Sequence, residues 1–103
     1  MKDTIITEFV NFRVLDTTSN ELLQAKADIF INDFLKKQDG FKDAELVKDS
    51  EGDARCFIIH YENFEKVKAL VGKLANCPPF DEFKSVIVPG SLEVSFNQKM
   101  REW

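Results

Sequence analysis

The stretch ARCFIIHYEN, residues 54–63, holds the chain's only histidine and only tyrosine, His60 and Tyr61, at the end of a run of β-forming residues. Together with Arg55 it supplies an imidazole, a phenol and a guanidinium, groups that can move a proton, orient a ring oxygen or hold an anion. Two more polar residues, Asn11 and Arg13, interrupt an earlier β-forming run. Strand alternation sets Tyr61 with Arg55, Phe57 and Ile59, and His60 with Ala54, Cys56 and Ile58. If the two strands are neighbours, Tyr61, Arg55, Asn11 and Arg13 are expected on one face among Phe9, Phe57 and Ile59. A few convergent polar groups in an apolar setting are what a small-molecule site looks like. The same groups can equally be polar contacts of a subunit interface, where Tyr and Arg are enriched. His60 reads first as a packed structural residue, and as a base only where it opens on a cavity.

Other chemistries find little support. His60 lacks metal-ligand partners at useful spacing, so no metal is expected. The two cysteines, Cys56 and Cys77, are too few for a disulfide framework and read as small hydrophobes. Net charge is −4 with both signs interspersed, and no basic block is present to neutralise phosphates, so no nucleic-acid partner is expected. No apolar stretch approaches the roughly 20 residues of a membrane span, and MKDTIITEFV does not read as a signal peptide. A cytoplasmic protein without membrane partners is expected.

The elements that would position these residues follow from periodicity. Residues 4–15 read as a strand; DTTSN supplies turn chemistry, with Ser19 as N-cap. Helical spacing of apolar residues runs over 21–37 and ends at Gly40. A strand over 44–48, a DSEGD turn with Gly52 available for positive φ, and a strand over 54–61 come next. Asn63 can cap a helix over 64–74 that Pro78 and Pro79 stop; FDEFKSVI suits a short extra helix, and SLEVSF alternates as a last strand. The order β-α-β-β-α-β is that of an α+β, ferredoxin-like domain spanning residues 1–103, a four-stranded antiparallel sheet with both long helices on one face.

Helices on one face should leave the other polar, yet both faces of strand 54–61 are largely apolar. An apolar face with no element to cover it marks an interface. A homodimer with facing sheets is therefore expected, with room for a cavity between sheet and helices.

This order, with the words DGF (39–41) and HYENFEKV (60–67), resembles the dimeric α/β-barrel superfamily, in particular its antibiotic biosynthesis monooxygenase-like branch. DGF is similar to the family's Pro-Gly-Phe after the first helix. HYENFEKV is similar to its strand-end Trp-x-Ser-x-Glu, with Tyr61 at the Trp position, Asn63 at the Ser and Glu65 at the Glu. The resemblance implies cofactor-independent oxygenation or isomerisation of an aromatic or polycyclic molecule, with no cofactor and with Tyr61, Asn11, Arg55 and His60 as the candidate residues. Haem degradation, another activity of such proteins, is not expected. Its Trp and His positions fall at Leu70 and about Phe80, and only Asn11 could match the remaining one. A non-catalytic binding or assembly module, with the second sheet face used only as an interface, is the alternative. An open pocket lined by Tyr61 and an arginine would favour the ligand-binder, and a filled sheet face the module.

Overall fold

The computed structural model describes residues 4–103. Strands β1 (Ile6–Arg13), β2 (Phe41–Lys48), β3 (Ala54–Tyr61) and β4 (Glu93–Gln98) form one sheet in the order β2-β3-β1-β4, every neighbouring pair antiparallel. Helices α1 (Asn20–Asp33), α2 (Phe64–Val71) and α3 (Pro78–Lys84) complete the β-α-β-β-α-β order, α3 being an addition before the last strand.

Register decides which residues meet. Val10 faces Phe57 and Phe12 faces Arg55 across β1 and β3. Ile6, Val10 and Phe12 therefore share the core side with Phe57, Ile59 and Tyr61, all of them buried. Phe9, Asn11 and Arg13, expected beside Tyr61 and Arg55, point to the opposite face with Cys56, Ile58 and His60. The even positions of β1 form the more apolar stripe, and the helices cover that stripe. A shift of one residue in reading β1 exchanges its two faces.

The aromatic residues fill the layer between sheet and helices. Phe83 of α3 lies at its centre, with ring centroids 5.3 Å from Phe12, 5.2 Å from Phe57 and 5.8 Å from Phe30. Helix α1 turns Leu23, Ala27 and Phe30 inward, and α2 turns Val67 and Leu70 inward. Both helices start on side-chain caps: Leu22 N donates to Ser19 Oγ at 3.1 Å and Lys66 N to Asn63 Oδ1 at 3.0 Å.

Several boundaries differ from expectation for local reasons. The first helix stops at Asp33, and a 3-10 turn over Leu35–Lys37 leads to Gly40. Gly40 has φ +94°, and a Cβ there would lie 2.6 Å from Lys66 Cδ, so any other residue is strained and must displace the Lys66 stem. β2 starts at Phe41 rather than 44, with a register shift between Phe41 and Asp43. Pro78 and Pro79 open α3 at positions whose N–H groups need no partner, as well as following α2. Gly52 does not adopt positive φ; the loop is closed instead by Glu51 N donating to Asp49 Oδ1 at 3.1 Å. Ser91 lies outside β4; its Oγ accepts from Arg13 N at 3.1 Å and donates to Val88 O at 2.7 Å.

Among the described residues no helix covers the second sheet face. Phe9 and Val47 are 36% and 40% exposed there, with Cys56 and Ile58 half-buried between them.

Candidate functional site

Glu8 sits in β1 between Ile6 and Val10, at an inward-facing position, opposite Ile59 on one side and Phe96 on the other. A carboxylate there must find a donor or stay protonated. The donor is Tyr61, 1% exposed at the end of β3, whose hydroxyl donates to Glu8 Oε1 at 2.9 Å. The pair borders a cavity of about 60 Å³ between sheet and helices. Its other walls are apolar, including Phe57, Ile59, Leu70, Leu92 and Val94.

The electrostatics follow from that setting. Burial pushes the Glu8 carboxyl above the ordinary carboxylate range, and the Tyr61 hydrogen bond offsets part of the rise. Burial also pushes the Tyr61 phenol up, reinforced by the Glu8 charge and by its hydrogen bond to Glu8. Tyr61 is thus a neutral donor, and Glu8 is a stronger base than an exposed carboxylate.

The four residues singled out from sequence do not converge. Tyr61 lines the cavity. Arg55 lies on the same sheet face but six residues earlier, about 20 Å away at strand rise. Its Nη2 donates to Asn20 Oδ1 at 3.0 Å and its Nη1 to the Asp53 carbonyl. It lines a separate groove of about 730 Å³ between α1 and β2. Asn11 is exposed on the opposite face, paired across the sheet with Cys56. His60 is also on that face, its Nδ1 2.6 Å from Asp43 Oδ1, an exposed pair at the sheet edge. Glu65, matched to the family's glutamate, is exposed and pairs with Lys68 at 3.2 Å. The residue that sequence reading missed is Glu8. Its signal is present in Ile6-Glu8-Val10-Phe12, where an acid holds one place in an otherwise apolar period-2 stripe.

Burial raises the Cys56 thiol, whose Sγ donates to the Phe57 carbonyl at 3.3 Å, so it is not poised as a nucleophile. Among the described residues no three His, Cys, Asp or Glu side chains converge as metal ligands, and no helix is long and apolar enough to cross a membrane.

No family model and no curated protein matches the sequence. Solved structures do match its shape. A variant of SnoaB, a cofactor-independent oxygenase from Streptomyces nogalater, superposes with TM-score 0.80 at 12% identity, covering 96% of each chain. The ActVA-Orf6 monooxygenase of Streptomyces coelicolor, in complex with the ligand nanaomycin D, gives 0.72 at 12% identity, covering 97% of this chain and 91% of that one. A Chloroflexus aurantiacus protein assigned to the antibiotic biosynthesis monooxygenases gives 0.65 at 13% identity over 97% of each chain. The chain has the ferredoxin-like fold that these three structures share, a four-stranded antiparallel sheet in the order β2-β3-β1-β4 with helices packed on one face.

Proposed function

We propose that this chain binds an aromatic or otherwise apolar small molecule between its sheet and helices, with Glu8 and Tyr61 as the polar anchor. One observation carries the reading: an ionisable carboxylate is kept at the edge of an otherwise apolar cavity, facing a buried phenol. A hydrophobic pair at these positions would serve stability as well or better, and perturbed titratable groups in apolar cavities cluster at functional sites. About 60 Å³ holds a few water molecules, whereas ring-sized guests need several hundred. Binding therefore requires the outer wall to open. Val71 and Val94, 44% and 47% exposed at that wall, have solvent to turn into.

The chemistry open to such a site is proton abstraction. A bound phenol distinctly more acidic than Tyr61 passes its proton to the Glu8 carboxylate, leaving a phenolate and a neutral Glu8, while Tyr61 keeps its own proton and holds the accepting group in place. An electron-rich phenolate can react with dioxygen without a metal or flavin, and SnoaB, whose fold this chain shares, is a cofactor-independent oxygenase. In this reading Arg55, Asn11 and His60 stand outside the site.

The second part of the proposal is a homodimer that buries Phe9, Val47 and Ile58 between facing sheets. A purely structural module would need only that interface and no half-buried, inward-facing acid. The two free cysteines fit a reducing, cytoplasmic location.

Titration with 2-naphthol, followed by its own fluorescence, tests the anchor. Saturable binding to the wild type is expected, weakened about two- to tenfold in Tyr61→Phe and in Glu8→Gln, the worth of one hydrogen bond. Absence of saturation into the millimolar range, or equal affinity in all three proteins, would contradict the proposal.

A further inference from the structure

The groove between α1 and β2 shares only Phe57 with the Glu8–Tyr61 cavity, and it has a different chemistry. Its floor is apolar, built from Ala27 and Ile31 of α1, Ala44 and Leu46 of β2, and Phe57 of β3. One end is cationic. Lys48 and Arg55 are direct cross-strand partners on the helix side of the sheet, both lining the groove. Like charges placed opposite one another destabilise a sheet unless something neutralises them.

Nothing among the described residues does so. Among the described residues neither cation forms a salt bridge; all seven salt bridges involve other basic groups. Both are held in place by neutral acceptors instead. Lys48 Nζ donates to the carbonyls of Gly52 at 2.7 Å and Asp49 at 3.2 Å, and Arg55 donates to Asn20 Oδ1 and the Asp53 carbonyl. Beyond these contacts, one ammonium N–H of Lys48 and several guanidinium N–H groups of Arg55 have no acceptor among the described residues. The neighbouring carboxylates do not compensate. Asp49 turns its Oδ1 back to Glu51 N, and Glu51 and Asp53 are exposed on the loop outside salt-bridge range. Asn20, the acceptor for Arg55, is the first residue of the 14-residue α1, so the positive end of that helix adds to the same corner. Asp28, on the helix wall, lies eight residues along α1, about 12 Å from the cationic end at helical rise, and Lys36 and Lys42 line the far end. Asp43 and Glu45 also border the groove, on the edge strand β2, but alternation sends their side chains toward the opposite sheet face, where His60 engages Asp43.

We infer that this groove is a second ligand site, for a small amphipathic carboxylate. Its carboxylate bridges Lys48 and Arg55, and its apolar body lies over Ala44, Leu46, Ile31 and Phe57. A volume of about 730 Å³ is that of a small-molecule site. Bidentate contact from the arginine fork suits a planar carboxylate, and a second cation directly opposite supplies the remaining charge. The site does not depend on the Glu8–Tyr61 reading, since the two share no polar residue.

The test uses 2-naphthoate and its neutral counterpart 2-naphthamide, titrated into the full chain and followed by amide chemical shifts. The carboxylate is expected to bind roughly tenfold more tightly than the amide, with shifts at Leu46, Lys48 and Arg55. Lys48→Gln and Arg55→Gln should each cut naphthoate affinity roughly tenfold, leave naphthamide unchanged, and preserve or raise the melting temperature because the opposed charges are relieved. Both side chains are partly or fully exposed, so the variants are expected to fold; retained amide dispersion confirms that they do. Equal affinity for the two compounds overturns the inference. So does undiminished naphthoate binding in the double variant, or shifts confined to the Glu8–Tyr61 cavity. Groove shifts that follow protein dilution rather than ligand would assign the groove to a second copy and overturn it equally.

Discussion

Tyr61 and Glu8 illustrate what a single residue type reveals in sequence and what it conceals. Tyr61 was legible because it is the only tyrosine and ends a clear strand. Glu8 was not, because carboxylates are common and only its inward register distinguishes it from the solvated ones. That register gives a pH signature. Folding raises the Glu8 pKa above its ordinary 4.5, so the protonated acid is the form the fold favours. Its contribution to stability is complete below the ordinary value and is lost as pH rises through the folded one. Glu8→Gln removes that loss, so its melting temperature relative to wild type should climb as pH rises across this window. Parallel melting profiles would refute the assignment. Tyr61→Phe removes the one donor to the Glu8 carboxylate among the described residues and should destabilise the protein by about 1–3 kcal/mol at neutral pH, less once Glu8 is protonated. Denaturant unfolding at two pH values measures both effects.

At the scale of elements, strands and helices with strong periodicity were readable and their faces less so. β3 over 54–61 and the caps Ser19 and Asn63 stand where composition puts them. The facing of β1 was misread because both of its residue sets contain apolar side chains, and only cross-strand pairing with Phe57 decides between them. The bulge at the start of β2 and the opening of α3 on Pro78 depend on tertiary packing that no local pattern announces. Gly40 is the opposite case, a turn residue whose need for glycine is both local and tertiary. Gly40→Ala must hold an unfavourable positive φ and displace the Lys66 stem, which should cost about 1–2 kcal/mol or more in denaturant unfolding. Ser19→Ala, which removes only the first-turn acceptor of α1, should cost about 1 kcal/mol.

The whole molecule turns on its two sheet faces. One is packed by helices and encloses the Glu8–Tyr61 cavity; the other leaves Phe9 and Val47 to solvent in the single chain. If two chains pair through that open face, sedimentation at micromolar concentration should report a dimer. Phe9→Asp should then give a folded monomer, because the charge lands at the interface rather than in the core. Phe57→Asp should unfold the chain, since Phe57 is 3% exposed beneath Phe83. Ligand placement discriminates between the faces most directly. Intermolecular nuclear Overhauser contacts between 2-naphthol ring protons and protein methyl groups should appear at Ile59, Leu70 and Val94, around Glu8 and Tyr61. Contacts to Val47 and Ile58 of the open face instead, with none in the cavity, would contradict the assignment of Glu8 and Tyr61 as the binding site.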